Sequence, residues 1–263
     1  MAGKIHIGVG GWVFEPWRGA FYPEGLPQKR ELEYAAGKLT SIEINGTYYG
    51  SQKPESFAKW HAETPEHFVF ALKGSRYITN RRVLAEAEPS IEKFIGSGLT
   101  ELKHKLGPIN WQFMPTKKFD PADFEAFLKL LPKSHDGVAL RHAVEVRHES
   151  FRTPDFIELL RGYDVAAITG ADSEFPRIDD ATAPFVYARI MGTSERETLG
   201  YAERDLDRWA TWAKDWAAGT APAGLDPVGK PAKKQARDVF LYVISGEKVR
   251  NPAAAMALIE RVS

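Results

Sequence analysis

Ser41-Ile-Glu-Ile-Asn45 and Ala143-Val-Glu-Val-Arg147 alternate apolar with polar residues, and each ends on a polar side chain where the apolar pattern stops. That alternation is the two-residue period of a β-strand with one face buried. Six further short apolar runs share the character: Ile5–Val9, Phe68–Lys73, Pro108–Phe113, Asp164–Thr169, Phe185–Ile190 and Val239–Ile244. Helical periodicity fills most of the intervals between them. Strand alternating with helix through 263 residues predicts a (β/α)8 barrel, one domain spanning residues 1–263.

Barrels of this kind carry their chemistry on the C-terminal ends of the strands, so polar residues there are the first candidates for a site. Side chains two apart on a strand share a face. Glu43 therefore goes with Asn45, Ala71 with Lys73, Asn110 with Gln112, Glu145 with Arg147, and Tyr187 with Arg189. If that face lines the barrel, Glu43, Asn45, Lys73, Gln112, Glu145, Arg147 and Arg189 meet in one place, while Ile42, Ile44, Phe68, Phe70, Phe113, Val144, Val146 and Val186 pack against helices. A plain salt-bridge network plugging the barrel is the structural alternative. Burying ions costs several kcal/mol each even after relaxation, so the cluster points to function before stability.

Glu145 and Glu43 are expected to move protons, with His148 a third candidate because imidazole titrates near neutrality. By parity His148 points away from Glu145. Lys73, Arg147 and Arg189 are expected to stabilise negative charge, and Asn45 and Gln112 to orient a substrate. Three cations against two carboxylates favour a phosphate- or carboxylate-bearing ligand, a surplus that Asp172 would cancel. A divalent metal is a minor alternative, with Glu43, Glu145, His148 and Asp172 as ligands; no closely spaced ligand pair supports it, and the neighbouring cations oppose it. Trp12, Trp17 and Tyr49 are candidates for stacking on a sugar or base, although as loop anchors they would need no ligand.

The chain balances 35 basic against 35 acidic side chains, which is not the footprint of a dedicated nucleic-acid binder. The absence of cysteine excludes disulfides, thiolate metal sites, iron–sulfur clusters and a cysteine nucleophile, and suits the cytoplasm. No signal peptide, anchor or membrane-spanning run is expected. Dinucleotide fingerprint, phosphate loop and nucleophile elbow are all missing, so no redox cofactor is expected.

Helices are expected over Gln28–Leu39, Pro54–Glu63, Ile91–Leu106, Pro121–Leu131, Thr153–Leu160 and Glu203–Ala217, with Asp120 and Thr153 as N-caps ahead of prolines. Trp209, Trp212 and Trp216 form a stripe on the last of these, read as barrel packing. Gly219–Lys234, rich in proline, glycine and lysine, reads as a mobile surface loop.

Several spaced motifs run in order along the chain: Ile7-Gly8-x-x-Gly11-Trp12 with Trp17-x-Gly19-x-Phe21-Tyr22-Pro23, then Glu43-Ile-Asn45-x-Thr47-x-Tyr49, Phe68-x-Phe70-x-x-Lys73, Lys105-Leu106-Gly107, Gln112-x-x-Pro115 and Glu145-x-Arg147-His148-x-Ser150. From about Lys4 to Ile259 this series resembles the YecE-like proteins, domain of unknown function 72. The resemblance implies a TIM-like barrel and names no reaction. The chain departs from the family pattern at Val9-Gly10, where Thr-Ser is usual, at Phe151, where tryptophan is usual, and at Val243-Ile244-Ser245-Gly246, where the last strand usually ends Phe-Asn-Asn-Asp. These changes take hydroxyl and amide groups from strands one and eight and mark a divergent branch.

The expectation is an enzyme acting by acid/base chemistry on a small polar, anionic metabolite, with hydrolase, lyase and isomerase chemistry all open. The rivals are a nucleic-acid-binding or processing protein, with Trp12, Trp17 and Tyr49 stacking on bases, and a ligand sensor without turnover. Oligomeric state is left open by the sequence.

Overall fold

The computed structural model describes residues 1–263. All eight apolar runs form strands: β1 Ile5–Gly10, β2 Ser41–Ile44, β3 Val69–Lys73, β4 Leu106–Gln112, β5 His142–Glu145, β6 Ala166–Ala171, β7 Phe185–Ile190 and β8 Asp238–Val243. Each pairs in parallel with its neighbours in sequence, and β8 closes on β1. The helices longer than one turn are α1 Glu31–Ala36, α2 Pro54–Ala62, α3 Glu88–Ile95, α4 Pro121–Leu130, α5 Pro154–Gly162, α6 Glu203–Ala218 and α7 Asn251–Val262. Asp120 accepts from the amides of Ala122 and Asp123, and Thr153 from that of Phe156, so both expected N-caps form. The helix expected over Ile91–Leu106 instead stops at Gly96 and resumes as a 3-10 segment, Leu99–Lys105. Buried Lys105 then donates to the carbonyls of His61 and Thr64, a cation on the C-terminal end of α2.

Parity sorts the strand residues as their pattern predicts. Ile42, Ile44, Phe70, Leu72, Val144 and Val186 join the large core between sheet and helices, to which Trp209, Trp212 and Trp216 of α6 also belong. The lumen holds a separate cluster that includes Val69, Ala71, Ala143, Ile168, Phe185, Tyr187, Phe240 and Tyr242. At its floor His6 stacks on Phe240 with ring centroids 5.0 Å apart, and Arg141 lies 4.8 Å above the same ring. Above His6 the lumen positions of β1 are glycines, and at residue 8 the reason is steric: a Cβ there would lie 1.8 Å from the Ser41 carbonyl oxygen.

One repeat lacks its helix. Residues 172–184, between β6 and β7, contain none, and the gap between α5 and α6 is covered by the segment after α6. This corrects the reading of Gly219–Lys234 as a free surface loop. Asp180 accepts from the Val228 and Gly229 amides at 2.9 Å, Asp179 accepts from the Asp226 amide at 2.8 Å, and Arg161 donates to the Lys230 carbonyl. A Cβ at Gly229 would meet Ile157 of α5 at 2.7 Å, so the segment lies tight against that helix. Composition hid this because the segment is held by its backbone amides, which every residue but proline carries.

Asp180→Ala leaves two part-buried amides without acceptors and is expected to cost about 1–3 kcal/mol in urea denaturation, a loss that a free loop would not produce. A second outcome concerns His142, buried behind β5. Trp111 Nε1 donates to its Nδ1 at 3.1 Å, and Nε2 lies 2.8 Å from the Pro132 carbonyl oxygen, an arrangement that fits the neutral ring with hydrogen on Nε2. Burial pushes its pKa down from 6.5 to about 4. The unfolded chain takes up that proton first, so this stability is complete above pH 6.5 and drains away as pH falls toward 4, by up to ~3 kcal/mol. Denaturation of His142→Gln across that window is expected to show a shallower loss than the parent.

Candidate functional site

Seven side chains at or near the strand ends meet on the barrel axis just below the C-terminal mouth. Arg189, at the end of β7, is their centre. Its Nη2 donates to Glu43 Oε1 at 3.0 Å, and its Nη1 bonds Glu145 Oε2 and, more loosely, Gln112 Oε1 at 3.4 Å. Glu43 Oε2 accepts in addition from the Tyr187 hydroxyl and from Asn110 Nδ2. Glu145 Oε1 accepts from Arg147 Nε at 2.7 Å, and Arg147 Nη2 reaches Gln112 Oε1 at 3.0 Å. Glu43 is 0% exposed and Arg189 4%, so the cluster is a polar plug across the barrel.

The electrostatics redistribute the roles expected of these residues. Burial pushes the Glu145 carboxyl up, but Arg189, Arg147 and Lys73 together outweigh it and hold the group below the usual carboxylate range. The two glutamates in turn overcome burial and raise Arg189. A carboxylate locked in its charged form by two guanidinium groups is a poor proton carrier near neutrality. Glu145 thus sits as a charged carboxylate between Arg189 and Arg147, while Glu43 is fully buried with both oxygens hydrogen-bonded.

Lys73, at the end of β3, stands apart. Its Nζ has no carboxylate or carbonyl partner and lies 4.6 Å from the centre of the Tyr48 ring. Burial, helped by Arg189, pushes its pKa down to about 8. Gln112, one strand over, has Oε1 committed to both guanidinium groups, which fixes the amide with Nε2 as a donor lacking a protein acceptor. Arg147 follows on the next strand, its guanidinium 4.2 Å from the Phe175 ring and partly exposed. The side chains presented to solvent here are donors, and each acceptor oxygen of Glu145 and Glu43 is already engaged.

Asn45 reaches the rim beside β1, where a Cβ at residue 10 would come within 2.7 Å of its Nδ2. Gly10 is thus the space Asn45 needs, while Val9 faces the helices and lies in the outer core. The other expected residues are not brought to the mouth. Trp17 is 0% exposed and donates to the Lys248 carbonyl at 2.8 Å, which locks the β1–α1 loop to the start of α7. Trp12 packs edge-on against Trp60 on the helix side of the sheet. Tyr49 is 63% exposed, lies 5.6 Å from the Arg76 guanidinium and packs edge-on against Tyr48 at 5.0 Å between ring centroids. His148 accepts from the Ser150 amide and bonds its hydroxyl, capping a short turn, because the strand ends before it. Asp172 lies with Tyr201. No group of three or more His, Asp or Glu side chains is placed to hold a metal ion.

Tyr187, Asn110 and Phe175 complete the site without having been singled out, and Tyr48, like Tyr49 a candidate for stacking or anchoring, joins them. Tyr187 and Asn110 sit two residues before Arg189 and Gln112, so strand parity contained them; Tyr48 comes from the one-turn helix Gly46–Tyr49 and Phe175 from the β6–β7 segment, where no strand period applies. Large clefts lie off the axis: one of about 720 Å³ is lined by Arg81, Arg82, Met114 and Lys118, and another of about 640 Å³ by Ser51, Ser75, Tyr77 and Lys93.

Glu145→Gln removes one charge from a buried pair and strands part of Arg189. It is expected to cost roughly 3–5 kcal/mol by chemical denaturation, and a change under about 1 kcal/mol would show that the plug contributes little to stability.

Among curated proteins, YunF of Bacillus subtilis is 26% identical over 203 residues, 74% of this chain and 68% of YunF. YecE of Escherichia coli K12 is 27% identical over 150 residues, 56% of this chain and 50% of YecE. A DUF72 family protein from Thermotoga maritima has the same fold, with a TM-score of 0.71 at 22% identity over 97% of both chains. The family described as a protein of unknown function, DUF72, matches residues 6–263, and the chain belongs to it.

Proposed function

We propose that the chain is an enzyme of acid/base chemistry on a small anionic metabolite held at the barrel mouth. The observation that carries this reading is the unpaired Lys73 ammonium, the one surplus cation above a plug whose two carboxylates are both spoken for. Gln112 Nε2 and Arg147 extend the donor set along β3, β4 and β5. Arg147 keeps Nη1 free of protein partners, and a guanidinium N–H gives a carboxylate or phosphate oxygen a charge-assisted hydrogen bond that would orient such a ligand. An amine with a pKa near 8 exists in both protonation states close to neutrality, so Lys73 can take a proton from a carbon next to a carboxylate and return it elsewhere. Arg147 and Gln112 would stabilise the charge that develops on the substrate oxygen. The rigid plug beneath fixes these groups at low reorganisation cost, as transition-state stabilisation requires.

Thermal stability in the presence of oxalate, malonate and inorganic phosphate tests the site. At least one of these anions is expected to raise the melting temperature saturably, with affinity weakened about tenfold or more in Lys73→Gln and Arg147→Gln, and unchanged in Lys233→Gln on the far flank. An absence of saturable stabilisation, or equal stabilisation in all three variants, would overturn the proposal.

A further inference from the structure

We infer that Lys73 forms an imine with the carbonyl carbon of a small 2-oxo acid whose carboxylate is held by Arg147. The inference rests on the anion site proposed above and adds the substrate class. Four features of the geometry carry it. Nζ lies at the C-terminal end of a barrel strand, on the lumen side, with no acceptor to hold it as an ammonium. The carboxylates that could have paired with it are engaged by Arg189, Arg147, Tyr187 and Asn110. Lys73 is 9% exposed and its amine lies over the Tyr48 ring, so burial disfavours the charged form. Lastly, Asn110 stands beside Lys73 in strand register, and its Oδ1 is buried without a hydrogen-bond partner. A buried acceptor left open is costly unless something donates to it, so this side of Lys73 is ready for a donor carried in by a bound ligand.

The step balances without any oxidant or reductant. The ammonium loses one proton to solvent, and the Nζ lone pair bonds to the carbonyl carbon while the C=O π pair moves to oxygen. A proton passes from nitrogen to that oxygen, giving a carbinolamine. A second proton from solvent lets the C–O bond break and the oxygen depart as water, leaving C=N–H with one positive charge. A lysine that is desolvated beside other cations is the side chain suited to this chemistry.

The test uses the full wild-type chain with glyoxylate as probe and cyanoborohydride to reduce any imine, followed by peptide mapping. Lys73 is expected to acquire a carboxymethyl group more than about tenfold faster than exposed Lys53 or Lys233, because a larger fraction of it is unprotonated at neutral pH. Its labelling is expected to rise with pH about a midpoint near 8, and oxalate, which has the carboxylates but no ketone or aldehyde carbon, is expected to slow it. Labelling of Lys73 no faster than of Lys53 would overturn the inference. If oxalate then still stabilises the chain through Arg147, the anion site stands and the imine alone falls; if it does not, both fall.

Discussion

Arg189 is the constraint on which the upper half of the barrel depends. One guanidinium group bridges Glu43 on β2 and Glu145 on β5, strands that never pair with each other, and it does so from β7. Three strands spaced around the closed sheet are thereby tied across the axis where the lumen would otherwise be open. Leucine and valine could fill the same volume, and replacement of buried ion pairs by apolar groups is often neutral or stabilising. What apolar packing could not supply is a fixed surface of hydrogen-bond donors. The plug turns a set of costly buried charges into a platform from which Lys73, Gln112 and Arg147 face outward.

The fold was legible because strand alternation survives in a single sequence. Parity assigned Glu43, Lys73, Gln112, Glu145 and Arg189 to the lumen, since a one-residue error would have turned Ile42 or Val144 inward in place of Glu43 or Glu145. Parity says nothing about distance along the axis, however. It could not distinguish groups sealed inside the plug, such as Glu43, from groups at its surface, such as Lys73. That difference decides which residue can exchange a proton. The aromatic candidates failed for another reason: Trp12 and Trp17 lie in a loop, where no period relates sequence to facing, and the large apolar rings found burial against Trp60 and the α7 loop first. His148 was ambiguous because the strand stops at Glu145, three residues before it, and parity lapses there.

The departures from the family pattern in β1 also acquire a physical reading. Gly10 is imposed by the position of Asn45 and Gly8 by the approach of the Ser41 carbonyl, so above His6 the lumen side of β1 contributes backbone alone. The chemical burden of the mouth shifts accordingly to β3, β4 and β5, where the three donors stand on adjacent strands.

The helix missing after β6 has a consequence for how the chain assembles. Asp179 and Asp180 find their partners at Asp226, Val228 and Gly229, 47 to 49 residues later in sequence, on the far side of β7 and α6. Until that stretch has emerged from the ribosome, the flank of Ile157 stays uncovered and two carboxylates face empty space. The barrel itself closes only when β8 reaches β1, the longest sequence separation in the sheet. Both seals are therefore made by the last quarter of the chain, and loop-closure entropy must be met before either is rewarded. Such an order makes folding all-or-none at the C-terminus: a nascent chain stopped short of residue 226 holds seven strands, an open edge and an apolar flank, the features that recruit chaperones and drive aggregation.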